Sequence, residues 1–129
     1  MRIGELAEQA GATTKAVRYY ESLGLFRARR LGNGYRDYDD SYVRLVREIR
    51  GLAAVGIPVD QARPFLDCLV AGHRQGDDCP DAVTAYRTAI DAIGEQMAEL
   101  VARRIALTAL LESASARTQP ACELAPSIS

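Results

Sequence analysis

From Pro80 to Glu112 the chain carries Val83, Tyr86, Ile90, Ile93, Met97, Leu100, Leu107 and Leu111 in steps of three and four, with Arg104 also on the series. Such alternation is a heptad seam, a narrow apolar stripe on one continuous helix. At 1.5 Å per residue a helix of this span is roughly 50 Å long. A body built from the preceding residues is too small to cover it. A second copy of the same helix is the natural cover, so the seam predicts a dimer; a helix folded back on its own domain is the alternative. Arg104 either fixes register or snorkels to solvent.

The residues ahead of the seam read as shorter helices with punctuation between them. Ile3, Leu6, Ala7 and Ala10 recur at helical spacing and Gly11 ends the run. Thr13 or Thr14 caps a second helix through Arg18, Tyr19 and Leu23, which stops at Gly24. Helix, short Gly-containing turn and helix form a helix-turn-helix, whose second helix enters a DNA major groove. Leu25-Phe26-Arg27 and Tyr35-Arg36-Asp37-Tyr38 flank Gly32-Asn33-Gly34. The Asn-Gly pair accepts positive φ, so these segments predict a hairpin, a wing beside the helix-turn-helix. Asp39-Asp40-Ser41 starts a third helix, with Val43, Leu45, Val46, Ile49, Leu52 and Ala53 inward and Arg44, Arg47 and Arg50 on a solvated face. After the Gly56-Ile57-Pro58 break, Pro58 to Ala71 reads as a fourth helix, buried through Val59, Ala62, Leu66, Leu69 and Val70, with Pro64 near its first turns. Gly72 to Cys79 is a polar connector, and from Ser113 small and polar residues with Pro120 and Pro126 read as a loose tail. The fold class is therefore mainly α, in three parts: 1–75 a winged helix-turn-helix domain with two supporting helices, 76–113 a connector and dimerisation helix, and 114–129 a flexible tail.

Net charge is −1, but residues 1–50 hold ten Lys/Arg against seven acids and residues 51–129 hold six against ten. A basic head on an acidic body fits a nucleic-acid-binding end and a non-binding end. No run approaches the roughly 18 apolar residues of a membrane span, and the N-terminus has no signal-peptide core, so a cytoplasmic protein with no membrane partner is expected. Three cysteines make no disulfide framework, and free thiols are the default. A thiol enzyme using Cys68 or Cys79 with His73 would lack a third orienting group, so the chain is read as no enzyme.

The DNA-facing residues follow from the elements. Arg18, Tyr19 and Tyr20 lie on the second helix, and Tyr35, Arg36 and Tyr38 on the wing. Cationic and phenolic groups on two neighbouring projections suit a polyanionic backbone. Adjacent helix positions face about 100° apart, so either Tyr19 or Tyr20 could instead pack in the core. Arg27, Arg29 and Arg30 offer further backbone contact from the wing.

With Arg18-Tyr19-Tyr20-Glu21, Gly24-Leu25, Gly34-Tyr35-Arg36-x-Tyr38 and the Gly56-Ile57-Pro58 break in this order, the chain from residue 1 to about 112 resembles the MerR family of bacterial transcription regulators. The resemblance implies a homodimer joined by an antiparallel coiled coil of its C-terminal helices. It implies a sequence-specific regulator that bends and untwists over-spaced promoter DNA so that RNA polymerase engages both elements, an activator responsive to an effector. Thr14, Lys15, Arg18 and Tyr19 would be recognition-helix contacts, and Tyr20, Tyr35, Arg36 and Tyr38 phosphate or wing contacts. A DNA-bending architectural or excisionase-like protein without an effector is the alternative, against which the long helix speaks.

The chain beyond the seam is too short for a large ligand domain, so the resemblance points to the short class, which usually senses metals, redox state or thiol modification, although some of its members bind nothing known. Cys79 lies just before the long helix and Cys122 in the tail, positions where metal-sensing relatives carry ligands, although the tail holds one Cys where those relatives have two. Cys68, His73 and Cys79 are a second set, with a spacing that is not a standard zinc pattern. Thiolates favour soft or borderline metal ions. A metal site on Cys79 with Cys68 or Cys122, thiol sensing through Cys68 and Cys79, and structural thiols all remain open at this point.

Overall fold

The structure, a computed structural model, describes residues 1–128, with side chains for residues 1–28 and 31–118. It divides into two units, Met1–Ala89 and Ile90–Ser129. The first unit begins with α1 (Ile3–Ala10), which Gly11 ends at φ 71°, and α2 (Thr14–Ser22). Thr13 is the residue that caps α2, its hydroxyl accepting from the Ala16 amide at 3.0 Å. Strands β1 (Arg29–Arg30) and β2 (Arg36–Asp37) pair antiparallel with Arg29 opposite Asp37, forming the expected wing. Its turn differs from a two-residue Asn-Gly hairpin. Gly34 alone takes positive φ there, at 85°, while the Asn33 side chain accepts from the Tyr35 amide at 3.1 Å. Asn33 thus serves the turn through its carboxamide rather than its backbone.

Helix α3 (Asp40–Ala54) is capped by Asp39, which accepts from the Ser41 amide. It lays Val43, Leu45, Val46, Ile49 and Leu52 into the core against Leu6, Ala7 and Ala10 of α1 and Val17 of α2. Full burial of side chains such as Leu6 and Ile49 contributes about 1.5–3 kcal/mol each. Leu6→Ala, which combines lost transfer with a cavity, would cost about 2–5 kcal/mol. Arg47 and Arg50 are exposed, as expected, and each also has a partner in the chain. Their guanidinium groups donate to the Gln9 and Ala10 carbonyls, supplying partners that the end of α1 lacks within its own helix.

The expected fourth helix is shorter than Pro58 to Ala71. A single 3-10 turn, Val59–Gln61, precedes α4 (Arg63–Val70), because Pro64 has no amide to donate and is accommodated in a first turn. Val70 is exposed rather than buried, and Phe65 and Cys68 take the core positions beside Leu66 and Leu69. Arg63 donates to the Gly24 carbonyl at 2.8 Å, tying α4 to the end of α2.

Helix α5 (Pro80–Ile128) begins in the first unit, where Ala82 is buried and the Tyr86 ring lies 5.0 Å from Phe65. The helix continues through residues 113–118, where a loose tail was expected. No Gly or Pro interrupts that stretch, and Thr118 satisfies its hydroxyl on the Ala114 carbonyl at 2.7 Å. Along the second unit Ile90, Ile93, Met97, Leu100, Leu107 and Leu111 are all exposed, so among the described residues this part of the heptad seam has no cover. No described helix is long and apolar enough to cross a membrane.

Candidate nucleic-acid interface and thiol cluster

Helix α2 turns only Val17 fully inward, which leaves Lys15, Arg18 and Tyr19 on its outer face. Tyr20, one position on, is half-buried and packs against the core; of the adjacent tyrosines it is Tyr19 that reaches solvent. Thr14 is half-buried at the first turn. Arg18 lines a groove of about 540 Å³ together with Arg2, Ile3, Gly34, Tyr35 and Arg36, so α2 and the wing share one basic recess. The Arg2 guanidinium sits 4.2 Å from the Tyr35 ring centroid, a cation–π contact that orients the exposed phenol.

Tyr38 departs from its expected role. Its ring is wholly buried, flanked edge-on by Tyr42, and cannot touch a phosphate. Its hydroxyl donates to Glu21 Oε1 at 2.8 Å, and Arg36 pairs with Glu21 Oε2 at 3.1 Å. Strand alternation explains the difference: Arg36 and Tyr38 lie two apart and both lean toward Glu21, the arginine from the exposed end and the tyrosine from the core. Burial, reinforced by the neighbouring carboxylate, pushes the Tyr38 phenol up to about 12. Glu21 stands in the Arg18-Tyr19-Tyr20-Glu21 motif, but the sequence reading gave it no role. Its signal was a lone carboxylate one turn after Arg18 on an otherwise basic and aromatic helix. Arg2 carried no signal at all, since its partner Tyr35 is distant in sequence.

The three groups Cys68, His73 and Cys79 come together, every ligand atom within 4.8 Å of the others. Cys68 and Cys79 are joined as a disulfide, with Cα atoms 5.9 Å apart. Free thiols were expected for both. The connector overturns that by folding back on α4: the His73 amide donates to the Cys68 carbonyl at 3.3 Å, and the Gln75 amide to Asp78 Oδ2 at 3.0 Å. Arg44 donates to the Arg74 carbonyl and Tyr86 to Asp77 Oδ2, fixing the same loop from α3 and α5. Burial first, then Asp77, raises the Glu48 carboxyl beside this loop, with Arg44 opposing. Cys122 lies outside the described side chains.

Residues 1–68 match the family described as MerR HTH family regulatory protein. The chain belongs to the MerR family. The transcriptional regulator HmrR of Rhizobium leguminosarum bv. viciae is 33% identical over 129 residues, covering 100% of this chain and 98% of that protein. CueR of Yersinia pestis is 29% identical over 113 residues, 87% of this chain and 79% of its own. The crystal structure of PbrR691 from Ralstonia metallidurans CH34 in complex with lead(II) superposes with a TM-score of 0.65 at 29% identity, covering 84% of this chain and 82% of that one. As a MerR protein the chain is a DNA-binding transcription regulator that acts on promoter DNA as a dimer, and not an enzyme. The likeness to a full-length regulator, long helix included, sets aside the architectural alternative.

Proposed function

We propose that two copies joined along the α5 seam, as an antiparallel coiled coil, present their α2 helices to successive major grooves and their wings to the flanking backbone. The observation that carries this reading is the shared basic recess of Arg2, Arg18, Tyr35 and Arg36 on a chain whose seam from Ile90 to Leu111 is exposed among the described residues. Lys15, Arg18 and Tyr19 read bases or grip the backbone from α2, while Tyr35 and Arg36 grip it from the wing. Residues 1–75 form the reading part and residues 76–113 the connecting and dimerising part. Bending 20–30 base pairs costs on the order of 1–6 kcal/mol, which two linked heads supply through backbone contacts. The distortion aligns promoter elements for RNA polymerase in the cytoplasm, making the protein an activator.

The effector class we assign is a thiophilic metal ion held by Cys79 with Cys68 and His73. The donor set fits: two sulfurs and an imidazole suit soft and borderline ions and not hard ones. The ligating form is the thiolate, so the pair binds only when reduced. The ion would bridge the end of α4 to the start of α5 and neutralise the two thiolates. The lead(II) complex of the 29% identical PbrR691 supports this class.

Nuclease footprinting of the reduced dimer on its own promoter, with and without zinc(II), tests the reading. Expected are symmetric protection of two half-sites and a zinc-dependent hypersensitive centre. A monomer in solution, or protection that ignores sequence, would overturn it.

A further inference from the structure

We propose that Cys79 and Cys68 form a thiol–disulfide exchange site for low-molecular-weight disulfides of the glutathione class, with Cys79 taking part first and Cys68 resolving. The two sulfurs differ in the way such a division requires. Cys68 is 2% exposed inside α4, whereas Cys79 is partly open to solvent. Cys79 is also the residue from which α5 starts: its carbonyl accepts from the Ala82 and Val83 amides at 3.1 and 3.3 Å. The loop between the two cysteines is also tied by hydrogen bonds, from the His73 amide to the Cys68 carbonyl and from the Gln75 amide to Asp78. A Cα separation of 5.9 Å lies within the range a disulfide spans without moving the backbone.

The chemistry balances. Cys79 thiolate attacks one sulfur of the small disulfide, forming a mixed disulfide and expelling one thiolate. Cys68, losing its proton, attacks the Cys79 sulfur; the Cys68–Cys79 bond forms and the second small thiolate leaves. The protein pair gives up two electrons, the small disulfide accepts them, and both protein thiol protons end on the two small thiols. No metal takes part, so the exchange stands apart from the metal reading. The two meet in one respect, which does rest on that reading: a disulfide leaves neither sulfur as a thiolate ligand, so oxidant and ion compete for the same pair.

The test uses the full-length, reduced, chelator-treated protein with Cys122→Ser, exposed to oxidised glutathione, quenched by alkylation and peptide-mapped. Expected is a Cys68–Cys79 linked peptide in a chain that stays single on a non-reducing gel. Cys68→Ala, which keeps the buried site apolar, stops at one glutathione on Cys79, and Cys79→Ser reacts at least about tenfold more slowly. Equal rates for Cys79→Ser and the parent, or a parent that ends as a glutathione adduct without the linked peptide, would overturn the proposal. Equilibrium dialysis of the same reduced protein against zinc(II) is read separately. Absence of binding sinks the metal reading and leaves the exchange result intact.

Discussion

Tyr38 and Glu21 meet hydroxyl to carboxylate at 2.8 Å, so the wing is fastened to the recognition helix from its buried side. Arg36 closes the same carboxylate from the outside. One acidic side chain of α2 thereby meets both an exposed and a buried residue of the wing segment.

Removing the hydroxyl alone isolates that link. Tyr38→Phe keeps the ring in the core and should cost about 0.5–1.5 kcal/mol in denaturant unfolding, with operator affinity falling only modestly because no DNA contact is lost. A loss of binding as large as that of Arg18→Ala, with the fold intact, would return Tyr38 to the interface.

Alkaline pH should act through the same residue. The phenol titrates near 10 when unfolded and at about 12 when folded, so the native state keeps its proton longer. The stability it contributes is fully present below pH 10 and is lost as pH rises through 12. Urea midpoints measured across that window should fall more steeply for the parent than for Tyr38→Phe; parallel curves would contradict the assignment.

Arginines that look alike in sequence should separate in assay. Arg18→Ala should weaken operator binding by about 1–3 kcal/mol at fixed salt while the dimer persists. Arg47→Ala removes the donor to the Gln9 carbonyl and should instead lower stability by about 0.5–1.5 kcal/mol with operator affinity unchanged. Gel-shift titrations beside thermal melts decide both.

The seam predicts its own disruption. Met97→Glu with Leu100→Glu places carboxylates on exposed seam positions, and sedimentation should show a monomer whose helical signal falls. A dimer that survives both changes would mean another surface joins the copies.

Periodicity and punctuation carried most of the fold. The seam, the Gly11 and Gly24 stops, the Thr13 cap and the wing all rest on interactions within a few residues, which is where sequence reasoning is strongest. What it missed involved distant partners. Tyr38 reads as a wing phenol until Glu21 and Tyr42 are seen around it, and the carbonyls at the end of α1 that Arg47 and Arg50 reach while staying exposed lie far back in the chain. The Cys68–Cys79 pairing depends on how a connector folds back, and neither spacing nor composition encodes that bend.

The placement of the arginines also bears on ionic strength. Arg44, Arg47 and Arg50 each commit a guanidinium N–H to a carbonyl of the chain itself, and none of them lines the recess of Arg2, Arg18 and Arg36. A head that looks strongly basic by composition therefore displaces fewer counterions from the duplex than its cation count implies. Each phosphate neutralised steepens the logarithmic salt dependence by about 0.9. The slope for this regulator should accordingly follow the cations of that recess, leaving more of its grip on a promoter to shape and base recognition than to bulk attraction.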